Sequence, residues 1–151
     1  MIVPTKSTTS MDNSRFSADE MAAMKERARE LKAAEKGAAD REEGLRDALA
    51  KLADMPQPDR AMGQRIHELM TETFPELAAK TYYGMPAYAK DGKTIVWFKG
   101  KSKFKVRYAT LEFGVDAKLD DGNMWPVSFA LLELTPQVES RIVDLVRTAI
   151  S

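Results

Sequence analysis

Between Tyr82 and Trp125 the chain gathers the side chains best suited to recognising a ligand. Four tyrosines and two tryptophans lie there, Tyr82, Tyr83, Tyr88, Trp97, Tyr108 and Trp125, with Met85 and Met124 among them. Rings of this kind line small-molecule grooves, because they offer area with few rotamers to freeze and a polar handle. The same residue types also fill the layer between a sheet and its helices. Gly84-Met85-Pro86 reads as a fixed turn that shapes the rim of such a groove. A basic run follows: Lys99, Lys101, Lys103, Lys105 and Arg107 alternate with Gly100, Ser102, Phe104, Val106 and Tyr108. In an extended strand alternate residues share a face, so Lys103, Lys105 and Arg107 are expected opposite Phe104, Val106 and Tyr108. With Lys90, Lys93 and Lys99 nearby, that face would draw a phosphate-bearing ligand, an acidic protein or nucleic acid. A charged outer face also keeps a strand from pairing with another chain. The ligand-binding candidates are therefore Tyr83, Met85, Pro86, Tyr88, Trp97, Lys99, Lys103, Lys105, Arg107 and Trp125.

Metal chemistry is thinly supplied. The chain has one His, His67, and no Cys, which removes thiolate catalysis, disulfides and tight transition-metal sites. Hard-oxygen candidates for Mg²⁺, Ca²⁺ or Fe²⁺ are Glu68 and Glu72 on a helix, and Glu112, Asp116, Asp120 and Asp121 further along. Asp120-Asp121-Gly122-Asn123 is also simple turn chemistry, and its spacing is not that of an EF-hand loop. There is no Gly-x-Ser-x-Gly elbow, P-loop or dinucleotide fingerprint, so the expected role is non-catalytic. No helix-turn-helix or RNP-type signature asks for nucleic acid. Lys plus Arg equals Asp plus Glu, 23 each, so net charge recommends neither nucleic acid nor a membrane surface. The 44% hydrophobic content supports a real core within 151 residues, enough for one domain and an accessory helix.

These residues must be positioned by a short list of elements. Residues 1–15 are polar and read as a disordered tail. Ser17-Ala18-Asp19-Glu20 is a capping box that opens a helical extension over 16–55. Met24, Leu31, Ala38, Leu45 and Leu52 fall seven apart, so that extension either packs on the domain or dimerises, with Gly37 a point of weakness. Met55-Pro56-Gln57-Pro58 breaks it, and a compact domain is expected over 56–151. There, Asp59 caps or complements the N-terminus of a core helix over 59–74 carrying Met62, Ile66, Leu69, Met70 and Phe74. The period then changes to two. Strands are expected at 80–83, 87–89, 94–99, 104–112 and 129–133, with a hairpin at Asp91-Gly92. Thr135-Pro136 opens a last helix with Val138, Ile142, Leu145, Val146 and Ala149 as its apolar stripe. Helices, then a run of strands, then a helix make an α+β fold: a mainly antiparallel sheet of about five strands flanked by N- and C-terminal helices.

At Gly84-Met85-Pro86-Ala87-Tyr88, Gly92-Lys93 and Trp97-Phe98 the chain resembles the YdhG-like family, a domain of unknown function that includes frataxin-like intracellular iron chaperones. The resemblance covers about residues 56–150. It implies a frataxin-like sandwich, a cytoplasmic carrier protein, and iron as the carried species, handed to a partner. The residues themselves favour an anionic small ligand or acidic partner protein, held by the basic strand face and an aromatic groove. The chain is expected as a monomer, or a homodimer through the N-terminal helix, without a membrane-spanning segment.

Overall fold

The computed structural model describes residues 17–25, 28 and 37–151. The chain divides into two units, Met1–Lys36 and Gly37–Ser151. In the first, residues 18–25 are helical, and the Ser17 hydroxyl accepts from the Glu20 N–H at 3.1 Å, the first half of the expected capping box. Leu31 lies outside the described residues.

The second unit is α+β. Its elements are α1 (Ala38–Asp54), α2 (Asp59–Thr73), β1 (Ala78–Tyr82), β2 (Met85–Lys90), β3 (Lys93–Lys99), a one-turn α3 (Lys101–Phe104), β4 (Ala109–Phe113), β5 (Ser128–Leu131) and α4 (Pro136–Ile150). The five strands form one antiparallel meander in sequence order. Two hairpins close on two-residue turns. Tyr82 pairs with Met85 around Tyr83-Gly84, and Lys90 pairs with Lys93 around Asp91-Gly92. All four turn residues have positive φ, as the twist-matched turn between right-twisted strands requires. The first turn was expected at Gly84-Met85-Pro86. It sits one residue earlier, and Met85 and Pro86 belong to β2.

Cross-strand partners share a face of the sheet. One face carries Ala79, Pro86, Tyr88, Val96, Phe98, Leu111, Phe113 and Leu131, all buried. Helices α1, α2 and α4 lie on this face. The His67 ring nitrogen of α2 meets the Tyr88 hydroxyl at 3.0 Å, and Arg65 of α2 binds Glu139 of α4 through two hydrogen bonds. A methyl at Gly63 of α2 would strike Leu52 of α1 at 2.7 Å and Phe98 of β3 at 3.1 Å, so three elements converge on a missing side chain.

The position of α1 corrects the expected boundary. Gly44 lets the helix approach β1 until a Cβ there would lie 2.6 Å from the Ala79 carbonyl oxygen. Ala48 and Leu52 are buried, and the Arg41 guanidinium donates to the Pro75 and Leu77 carbonyls. Residues 38–54 are thus part of the compact unit, which begins before residue 56. Leu52 serves its own core and is not available to a dimer stripe, whereas Leu45 and Leu49 are exposed.

Candidate functional site

The other face of the sheet carries none of these three helices. Register places Lys80, Tyr82, Met85, Ala87, Trp97, Lys99, Thr110, Glu112, Ser128 and Ala130 on it. An antiparallel sheet can leave one face polar and open in this way. Here the face is not simply polar. The Tyr82 and Trp97 rings lie 4.5 Å apart, tilted by 37°, and Tyr83 meets Tyr82 edge-on at 4.6 Å. The Trp97 indole N–H donates to Glu112 Oε1 at 3.0 Å, and the Thr110 hydroxyl donates to Glu112 Oε2 at 3.2 Å. Glu112 therefore fixes the indole, and the direct pairing of Trp97 with Glu112 across β3 and β4 makes that bond local.

Beside this platform runs a shallow groove of about 410 Å³ lined by Lys99, Val106, Arg107, Tyr108, Thr110 and Glu112. Two cations face one carboxylate, and that carboxylate already accepts two hydrogen bonds. The groove's free electrostatic demand is for an anion. Lys99 lies over the Phe104 ring at 4.6 Å, and Arg107 over the Tyr108 ring at 5.0 Å, so both cations rest on aromatic faces.

The segment carrying Arg107 and Tyr108 differs from expectation. The alternating strand expected over 104–112 forms only from Ala109, where β4 starts; Lys101–Phe104 is a helical turn, and Lys105 closes it at φ 53. Asp59 is the reason. It stands in the first turn of α2, where an acidic residue complements the helix N-terminus, but it does not cap the helix; Gln57 Oε1 accepts from the Ala61 N–H instead. Its carboxylate is buried, 3% exposed, and accepts from the Ser102 N–H at 2.9 Å. Gly100 permits that approach, since a Cβ there would lie 2.8 Å from Asp59 Oδ2. A polar helix start thereby ties down the loop that borders the groove. Lys103, Lys105 and Arg107 consequently share no strand face. Arg107 lines the groove, Lys103 reaches toward the Gly84 turn, and Lys105 is exposed.

The remaining candidates separate by face. Trp97 and Lys99 are on the open face, as is Met85, and Tyr83 stands at the hairpin tip, 83% exposed. Pro86 and Tyr88 are buried on the helix-covered face and belong to the core rather than to a ligand site. Burial pushes the Tyr88 phenol up and the His67 imidazole down, the latter opposed by the Glu68 charge. Trp125 is half-buried in the β4–β5 loop and does not line the groove. Tyr82 and Thr110 complete the site. Tyr82 belongs to the aromatic group that the sequence offers for a groove, and its facing is readable only once the hairpin turn is fixed at Tyr83-Gly84; Thr110 carries no sequence signal beyond its parity with Glu112 on β4.

The acidic candidates stay apart. Glu68 pairs with Arg65 at 2.9 Å, Glu72 is exposed on α2, and Asp116, Asp120 and Asp121 are exposed in the β4–β5 loop. Among the described residues no three His, Cys, Asp or Glu side chains come together to hold a metal ion, and no helix is long and apolar enough to cross a membrane. No family model, no curated protein and no solved structure matches the chain.

Proposed function

We propose that this chain is a binding protein whose open sheet face takes a small anion carrying a flat ring. One observation carries the reading: the Tyr82–Trp97 ring pair lies beside a groove lined by Lys99 and Arg107, whose only carboxylate, Glu112, is engaged by Trp97 and Thr110. The ring would lie against the aromatic pair and the anionic group would reach the cations. Iron as cargo, which the YdhG-like resemblance implies, has less support in the donor geometry, because Glu112 is the single acidic residue of the groove. An acidic partner protein is a second occupant of the same charge, and the apolar platform favours the ring-bearing ligand over it.

The test is a nuclear magnetic resonance titration of the labelled protein with a nucleoside monophosphate, the matching uncharged nucleoside and inorganic phosphate, with Fe²⁺ as a separate arm. The nucleotide should give saturable shifts at Trp97, Lys99 and Arg107, and bind more tightly than either fragment. Trp97→Ala should weaken it by about tenfold or more, the usual worth of a stacked ring. Lys99→Ala should weaken it less and flatten its salt dependence. No saturable shift at these residues would sink the reading, as would Fe²⁺-selective broadening at Glu112 with no response to the nucleotide.

A further inference from the structure

The sheet ends on β5, and its outer edge is open in a specific way. The Phe113 N–H donates to the Val127 carbonyl at 2.8 Å, which sets the phase of the β4–β5 ladder. Hydrogen-bonded pairs alternate along an antiparallel ladder. Leu111–Phe129 and Ala109–Leu131 are therefore the bonded pairs, and Glu112–Ser128 and Thr110–Ala130 the non-bonded ones. The N–H and C=O groups of Ser128 and Ala130 point away from β4. No other described backbone or side-chain group bonds to them. Natural edges are commonly guarded by charge, by an internal proline or by a covering element. Ser128-Phe129-Ala130-Leu131 has no charge and no proline, and Val127 and Leu132 on either side are exposed.

We infer that β5 pairs antiparallel with β5 of a second copy of this chain, joining two five-stranded sheets across a two-fold axis at Ala130. Charge complementarity selects both the occupant and the register. Arg141 lies over the Phe129 ring at 5.8 Å, and neither Arg141 nor Glu133 has an ion-pair partner among the described residues. With Ala130 opposite its own symmetry mate, the partner's segment leaving β5 runs past Val127 and Phe129. That brings the partner's Glu133 toward Arg141, twice by symmetry. A register shifted to place Phe129 opposite itself would instead bring the two Arg141 side chains together, and would set Pro126, which has no N–H, into the ladder.

Sedimentation velocity of the full chain from about 10 µM to about 1 mM, the range in which small contacts associate, tests this. A dimer should appear with rising concentration. Ala130→Pro removes an N–H that the monomer does not use, and edge strands tolerate proline there. It should raise the dissociation constant by about tenfold or more, since two symmetry-related hydrogen bonds are lost. Ala130→Lys, which leaves the backbone alone and sets like charges face to face, should do the same and decides the matter if the proline variant misfolds. Glu133→Arg should weaken the dimer, and adding Arg141→Glu should restore it. A wild-type chain that stays monomeric throughout overturns the inference, and so does a dimer that survives the Ala130 substitutions, whose contact would lie elsewhere.

Discussion

The contact between Asp59 and Gly100 lets one substitution be predicted to rescue another. Asp59→Ala removes the carboxylate that accepts from the Ser102 N–H. A hydrogen bond to a charged acceptor is worth about 1.5–3 kcal/mol, so we expect a loss of about 2 kcal/mol. For a unit of about 115 residues that lowers Tm by roughly 8 °C. Gly100→Ala should be costly for a different reason. The Gly100 backbone sits at φ −70, ψ 158, which any L-residue adopts, so conformation exacts nothing. The new methyl would instead lie 2.8 Å from Asp59 Oδ2 and 3.0 Å from Cγ. Overpacking of this kind costs about 1–3 kcal/mol. In the double variant both atoms are gone and only the residue-59 Cβ remains, at 3.3 Å, a distance relieved by a small shift. Gly100→Ala should then cost nearly nothing, and could gain the about 0.4–1 kcal/mol that comes from a stiffer unfolded chain. A double-mutant cycle by urea denaturation should show a coupling of about 1–2 kcal/mol. Additivity within about 0.5 kcal/mol would refute the claim that the carboxylate alone demands glycine at position 100. Asp59→Ala should also weaken ligand binding, because it frees the loop that presents Arg107 and Tyr108.

Two further outcomes follow from single residues. Burial holds the His67 imidazole below its usual 6.5, so the folded chain binds fewer protons there than the unfolded chain. Stability should therefore fall as pH drops below about 6.5 and level off once pH has passed the lowered folded value. His67→Gln should abolish that slope in calorimetric Tm measured from neutral to mildly acid pH; an unchanged slope would place its origin elsewhere. The Glu139 carboxyl, held below its usual 4.5 chiefly by the Arg65 hydrogen bonds, loses its contribution only at lower pH, so the two windows separate. Tyr83 adopts φ 49 at the first position of its turn, where Asn is preferred. Tyr83→Asn should stabilise the fold by about 1 kcal/mol in urea denaturation, yet weaken binding of the nucleoside monophosphate by removing the ring that packs on Tyr82. Unchanged affinity would exclude Tyr83 from the site.

The fold was legible where one period ran unbroken. The stripe Met62, Ile66, Leu69, Met70 and Phe74 located α2, and Thr135-Pro136 located α4, whose Thr135 hydroxyl accepts from the Val138 N–H. Asp91-Gly92 located its hairpin. The site was legible in its residue types and less so in its geometry. Lys103, Lys105 and Arg107 keep a strand's alternation but fold as a turn, because a buried carboxylate 43 residues earlier captures the Ser102 N–H. No local pattern announces such a partner. The same holds for Tyr83, a bulky residue in a conformation that favours Gly or Asn; expecting the turn one residue later reverses the facing of Met85, Pro86 and Tyr88. Asp59 looked like a helix cap because Asp at a helix start usually is one.

The open face is best understood through Glu112. An indole N–H that bonded only to water would leave Trp97 free to turn, and a ligand would have to freeze it. Here the N–H is bonded to a carboxylate that Thr110 holds from the other side, so the rotamer is set before any ligand arrives. The same carboxylate assigns a direction. An anionic group placed near Glu112 meets a like charge; placed toward Lys99 and Arg107 it meets two cations resting on aromatic rings. A flat anion is therefore steered to one of its two orientations across β3 and β4. Replacing Glu112 by Gln keeps an acceptor for the indole and removes the charge. That exchange should leave the platform standing, blunt the discrimination between the two ends of the ligand, and appear in ligand–protein contacts from magnetisation transfer as loss of a single bound orientation. Retention of one orientation would assign the direction to shape instead of charge.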